Sequence, residues 1–260
     1  IASYAGVALG GLILLRLGII GRAGRSGLDG IWQRADWLKL FSTNTNFFLR
    51  SLAIAVAFLV LFKAADWLDQ RGGLDGVSTD TLAVLWQMFG LIVYGMDAFA
   101  VAAEAFSGEA VGAGRRDRLL RSTRLVVFWS LVSSVIAAVI FATAGSGALA
   151  YITKLPDVLA LSRELMPYIY FSGFYMTAAF MLDGIFLGAT RAGDMRDSVI
   201  AGLVVQTALV LVLVPWLGMH GLLISVVGFM KARGVVLMLR YPALVASVSE
   251  RASPETKASA

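Results

Sequence analysis

Residues 82–107 read LAVLWQMFGLIVYGMDAFAVAAEAFS, an apolar run long enough to cross a bilayer that nevertheless carries two carboxylates, Asp97 and Glu104. A helix in lipid satisfies its own backbone groups, but a side-chain acid at that depth costs about 2.5–3.5 kcal/mol to insert. Such a residue reads first as functional. A helix turns about 100° per residue, so seven steps return to within about 20° of the starting direction, and both acids face one way. That pattern suits a transport pathway.

Composition carries the reading to the rest of the chain. Of 260 residues, 58% are hydrophobic and 15% charged, and the mean hydropathy is +0.79. These values place the chain among all-α integral membrane proteins, as a polytopic helical bundle. There is no Cys, which removes disulfides and thiolate metal sites. The net charge of +5 is not a nucleic-acid signature, because the basic residues stand in short clusters beside apolar spans.

Seven hydrophobic segments can be drawn, at 1–15, 44–65, 82–107, 123–144, 165–189, 199–217 and 221–239. The uncharged run from Ser198 to Met230 exceeds one span, and the breaker Pro215-Trp216-Leu217-Gly218-Met219-His220-Gly221 is expected to split it into a tight helical hairpin. The first segment begins inside an apolar run without Met, so the chain is expected to be the C-terminal part of a longer protein.

Lys and Arg in the loops set the orientation. One set of connections holds fifteen, in the groups Arg16 to Lys39, Arg115 to Arg124, Arg191 with Arg196, and Arg240 to Lys257; the alternate set holds three, Arg71, Lys154 and Arg163. The richer side is expected to face the cytoplasm. Residues 21–43, where Trp32 and Trp37 stand among Arg and Lys, read as a cytoplasmic, partly interfacial connector. The polar stretch after Arg240 reads as a cytoplasmic tail.

With a rise of 1.5 Å per residue, Asp97 falls near mid-membrane, while Glu104 and Asp183 fall in the inner half. Arg50, Lys231 and Arg233 enter the same inner half from the cytoplasmic side. Charges in lipid pair with one another, so Arg50, Glu104, Asp183 and Arg233 are expected to form a cytoplasmic gate network. The plain alternatives are that Lys231 snorkels to the interface, that Arg50 and Arg233 are static pairs, and that Glu109 is wetted. On the fifth segment Met176, Phe180, Asp183, Leu187 and Thr190 form a stripe. With Tyr94, the residues Met176 and Phe180 are candidates to line a site for a lipophilic cation, against the plain reading of helix packing. Gly108 with Gly112 and Gly184 with Gly188 have the GxxxG spacing that lets helices approach closely.

No enzyme constellation is present. The single His, His220, lies in the outer hairpin, and HExxH, GxSxG and Walker A patterns are missing from the sequence. No cofactor or metal centre is expected. A carboxylate in a low-dielectric medium is biased towards its neutral form, which suits intramembrane acids to proton exchange.

The runs YGMDAFAVAAEAFSGEAVGAGRRDRLLRSTR and LDGIFLGATRAGDMRDS resemble the C-terminal half of multidrug and toxic compound extrusion (MATE) transporters, most closely the DinF-like branch. RSLAIAVAFLVLF is similar to that branch's first C-lobe helix. The resemblance implies two six-helix lobes that exchange amphipathic or cationic small molecules for protons, or for sodium, by alternating access in the inner (cytoplasmic) membrane. It makes residues 1–20 the end of the last N-lobe helix, 21–43 the connector, 44–240 the six-helix C-lobe and 241–260 the tail. Asp97, Glu104 and Asp183 match polar sites of that pattern and Arg50 a basic one, while Glu109 stands where the branch usually has Gln. The resemblance also implies that the branch's best-associated coupling carboxylate belongs to the N-lobe, so that a partner lobe of the same protein completes the site.

Three further readings compete. A lipid-linked precursor flippase of related architecture would need a strongly cationic cavity. A membrane-embedded transferase would need clustered aspartates at a helix end to hold Mg²⁺ and diphosphate, and only Asp194 and Asp197 come near. A non-transporting scaffold would tolerate neutralisation of all three acids.

Overall fold

The computed structural model describes residues 34–73 and 75–257. The segment expected to end an N-lobe helix, and the first part of the connector, lie outside those residues. The chain divides into a unit that ends at Thr45 and a unit that begins at Asn46. In the first, the backbone is helical from Arg34, and the Thr45 hydroxyl donates to the Phe41 carbonyl at 2.8 Å. The ion pairs and the cavity described below belong to the second.

Six helices follow one another, with no strand among the described residues: α1 (Arg34–Gly72), α2 (Val77–Gly112), α3 (Arg116–Ile152), α4 (Pro156–Tyr170), α5 (Ser172–Gly188) and α6 (Ala192–Lys257). Between α1 and α2 the chain turns through glycines, and Asp69 of α1 caps the next helix. Its carboxylate accepts from the Ser78 and Thr79 amides at 2.7 and 3.0 Å and from the Thr79 hydroxyl at 2.8 Å. A carboxylate on the free N–H groups of a helix start complements the positive end of the helix dipole.

Two features define the passes through the bilayer. First, α4 and α5 are bent by 49° at Phe171. Pro167 removes one backbone donor inside α4, and Phe171 donates to its carbonyl at 3.2 Å to close the last turn. The expected single span over 165–189 is therefore corrected to a broken one that starts at Pro156. Second, α6 contains Gly218 at φ 54, ψ −130, a backbone state that residues with a Cβ rarely adopt. Close neighbours across α6 move away from Gly218 at an equal pace in both directions: Gly221 lies against Leu213, Gly228 against Leu209, and Gly202 against Phe229 and Arg233. Arg240 reaches Asp194 at 2.5 Å. Such pairing belongs to two antiparallel legs, so α6 is a hairpin turned at the expected breaker. With α1, α2, α3 and the broken α4–α5, the described chain offers six passes.

The most extensive helix contact among the described residues is between α2 and α5. The helices run parallel, and small residues let their backbones touch. A Cβ on Gly184 would lie 2.2 Å from the Ala100 carbonyl oxygen, and one on Gly188 would lie 2.2 Å from that of Glu104. Ser107 donates across the crossing to the Ile185 carbonyl at 3.2 Å. In lipid, where apolar surface gains little from leaving its solvent, such close packing and cross-helix hydrogen bonds hold helices together.

Both helices also end alike, Gly108–Arg115 reading GEAVGAGR and Gly184–Arg191 reading GIFLGATR. The Arg115 amide donates to Ala110, and that of Arg191 to Phe186, each at 2.9 Å. The left-handed residue at each cap is Gly114 (φ 65) on α2 and Thr190 (φ 58) on α5.

Buried apolar side chains form two clusters. One is built around Leu82, Met88, Leu165, Met176 and Leu222, the other around Leu119, Met181, Phe186, Leu237 and Leu244. Large apolar side chains such as Leu91, Phe128, Val139, Leu211 and Leu239 are exposed on the outside of the bundle, which is the expected face towards lipid.

Candidate functional site

Between the two apolar clusters lies a polar layer. Arg50 of α1, Asp183 of α5 and Arg233 of the second α6 leg meet there. The Asp183 Oδ2 oxygen accepts from Arg50 Nη2 at 2.8 Å and from Arg233 Nη2. Asp183 is 8% exposed and Arg233 5%. The Arg233 guanidinium also stands 5.4 Å from the Phe229 ring centre, in cation–π range. One buried carboxylate thus joins three helices and carries two guanidiniums, which leaves the triad one positive charge in excess.

The triad forms part of the lining of a cavity of about 480 Å³. The facing wall is α2, which contributes Val93, Asp97, Ala100, Val101 and Glu104, the residues of one helical face. Neither the Asp97 nor the Glu104 carboxylate has a hydrogen-bond or ion-pair partner among the described residues. Phe58, Trp86 and Phe89 line the cavity as an aromatic group, with Phe58 edge-on to Trp86 at 4.6 Å between ring centres and Trp86 at 5.0 Å from Phe89.

Gln206 of the first α6 leg completes the lining. It is 1% exposed; its Nε2 donates to the Ala57 carbonyl at 3.1 Å, and its Oε1 has no partner. Asp183 Oδ1 and the Nε atoms of Arg50 and Arg233 are likewise buried without partners. The cavity therefore holds three carboxylates against two guanidiniums, with open acceptors on Asp97 and Glu104 of α2, on Gln206 and at Asp183 Oδ1. Chemically, it can seat an apolar ring system and offer acceptors to a cation or a proton.

The MatE family profile matches residues 52–216, from α1 through the first leg of α6. The chain belongs to the MatE family. It is 33% identical, over 239 residues and 91% of its own length, to the DNA damage-inducible protein F of Escherichia coli, and it covers 50% of that protein. This MatE chain thus spans about half the length of the curated relative it matches. No solved structure matches it.

Among the residues expected to act in this MatE chain, Asp97, Glu104, Asp183, Arg50, Arg233 and Phe180 all line the cavity. Glu104 shares the cavity with the triad but is not bonded to it. Tyr94 is 75% exposed, and Met176 is fully buried in the apolar core; neither lines the cavity. Met176 is a full turn from Phe180, away from the polar layer. Lys231 is exposed, two positions and about 200° from the buried Arg233. Glu109 pairs with Arg118 at 2.6 Å on the surface.

Sequence reasoning missed Gln206 and the Phe58–Trp86–Phe89 group. The available signal for Gln206 was a lone carboxamide inside an uncharged span, which in lipid demands a partner.

Asp194 and Asp197, the aspartates a transferase would need free, are both engaged by Arg240, at 2.5 and 2.9 Å, and Arg196 holds Asp197 at 2.6 Å. Among the described residues no three His, Asp or Glu side chains gather to hold a metal ion.

Proposed function

We propose that this chain supplies one lobe of a multi-pass exporter of the inner (cytoplasmic) membrane. The exporter moves amphipathic, cationic small molecules outward in exchange for protons, with sodium as the competing coupling ion, by alternating access. In this reading residues 44–240 are a six-helix lobe, the connector and tail face the cytoplasm, and a second lobe of the same protein closes the other side of the site. The observation that carries it is the α2 wall: two carboxylates, Asp97 and Glu104, face an apolar, aromatic-lined cavity with no partner of their own. An unpaired intramembrane acid is costly unless it exchanges protons or receives a cation.

The division of labour follows from the partners. Asp97, near mid-membrane, exchanges a proton for the substrate cation, which the aromatic group receives by dispersion and cation–π attraction. Asp183 holds α1, α5 and α6 together on the cytoplasmic side, and Glu104 competes with it for Arg50 as the lobe changes state. In proteoliposomes carrying the full-length protein, Asp97→Asn is expected to abolish proton-driven efflux of a cationic dye at unchanged expression. Undiminished efflux would remove Asp97 from the mechanism. For the gate, a charge-swap cycle between Arg50 and Glu104 is expected to show rescue in the double swap, and additive defects would sink that pairing.

A further inference from the structure

Away from the cavity, the last turns of α2 and the first turns of α3 enclose a second groove of about 260 Å³, lined on one side by Phe106, Glu109 and Ala110 and on the other by Arg118, Arg121 and Leu125. It lies at the Arg-rich end of the bundle, which the loop charges assign to the cytoplasm. From Glu109 to Arg124 the chain carries five arginines, Arg115, Arg116, Arg118, Arg121 and Arg124, against Glu109 and Asp117, a net charge of +3. Only Arg118 has an ion pair among the described residues, with Glu109.

The groove is polar at one end and apolar at the other. Phe106 is 53% exposed and Leu125 50%, and the same face of α3 continues with the exposed Phe128 and Trp129. An unpaired basic cluster at the level of the headgroups, opening directly onto a lipid-facing apolar strip, complements an anionic amphiphile on both counts. A soluble phosphate would use only the first.

We propose that this groove binds an anionic glycerophospholipid of the inner leaflet, with its phosphate at Arg121 and Arg118 and an acyl chain along Phe106 and Leu125. Glu109 is the built-in competitor, because its carboxylate occupies Arg118 and must yield that guanidinium to the headgroup. A glutamine at this position frees Arg118, so Glu109 sets how strongly the site selects for lipids with more than one phosphate.

The test is lipid binding to the full-length purified protein, titrated with diphosphatidylglycerol, with phosphatidylcholine, and with inorganic phosphate as competitor, and read by native mass spectrometry. Diphosphatidylglycerol is expected to bind in preference to phosphatidylcholine and to resist displacement by inorganic phosphate. The double variant Arg118→Gln/Arg121→Gln is expected to lose about 30-fold in affinity, from about 1 kcal/mol per arginine near the surface and tenfold per 1.4 kcal/mol. Glu109→Gln is expected to tighten binding about two- to fivefold, the reach of an exposed ion pair. Arg71→Gln, at the opposite end, is expected to change nothing. Equal affinity for phosphatidylcholine, weaker binding by Glu109→Gln, or full displacement by inorganic phosphate would each overturn the proposal.

Discussion

Asp183 and Asp97 line one cavity and differ in what surrounds them. Asp183 is buried beneath two guanidiniums from two other helices, whereas Asp97 faces the cavity with no partner. A carboxylate held as Asp183 is held does structural work, since either arginine would be stranded in the bundle without it. A carboxylate left as Asp97 is left contributes little to the fold, and its insertion cost is offset only by what it does for a ligand or a proton. On the function proposed above, the paired wall serves stability and the free wall serves transport.

The largest expected effect tests the paired wall. Asp183→Ala leaves Arg50 and Arg233 uncompensated and is expected to cost about 3–5 kcal/mol, read as a drop in thermal stability in detergent. Asp97→Asn in the same assay is expected to stay within about 0.5 kcal/mol of the parent; equal losses would erase the distinction between the walls. Next comes the seam between them. Gly184→Val would drive a side chain into the Ala100 backbone at the α2–α5 crossing and is expected to cost about 1–3 kcal/mol. Gly193→Val, whose added Cβ meets nothing within 4 Å, is the control, and similar losses at both would deny the crossing its role.

The smallest expected effect concerns the matched helix ends. Thr190 adopts the left-handed state that Gly114 adopts at the equivalent place on α2. Thr190→Gly is expected to stabilise by about 1 kcal/mol and Gly114→Thr to destabilise by a similar amount, measured as opposite shifts in unfolding midpoint. Shifts of the same sign would mean that the two caps are not equivalent.

Much of the fold was legible because lipid imposes a simple rule on each span, a run of apolar residues closed by a breaker. The Pro215–Gly221 breaker located the α6 turn, and Gly218 supplies it. The first half of the broken span was harder to read. Its inward face, Val158, Ser162, Leu165, Met166 and Ile169, has helical spacing, but Asp157, Arg163 and Glu164 dilute its hydropathy. The charges of α4 are used at its outer side, where Glu164 meets His220 Nε2 at 2.9 Å and Tyr168 meets the other ring nitrogen at 3.3 Å, tying α4 to the hairpin tip.

For the site, the common face on one helix was legible, and opposite charges at one depth gave the expected meeting of Arg50, Asp183 and Arg233; that Glu104 stays outside it was not legible. Asp97 and Glu104 share α2, so their common face follows from 3.6 residues per turn. Which acid Arg50 and Arg233 take depends on how the helices are rotated about their axes. Sequence conveys their depth but not that rotation.

The most direct test of the free α2 wall is proton release on ligand binding. A cationic dye is added to the full-length protein in weakly buffered detergent solution, and the released protons are counted for the parent and for Asp97→Asn at matched thermal stability. The parent is expected to release about one proton per dye bound, and Asp97→Asn to bind more weakly and release none. Equal release from both proteins would contradict the assignment of Asp97 as the exchanging acid.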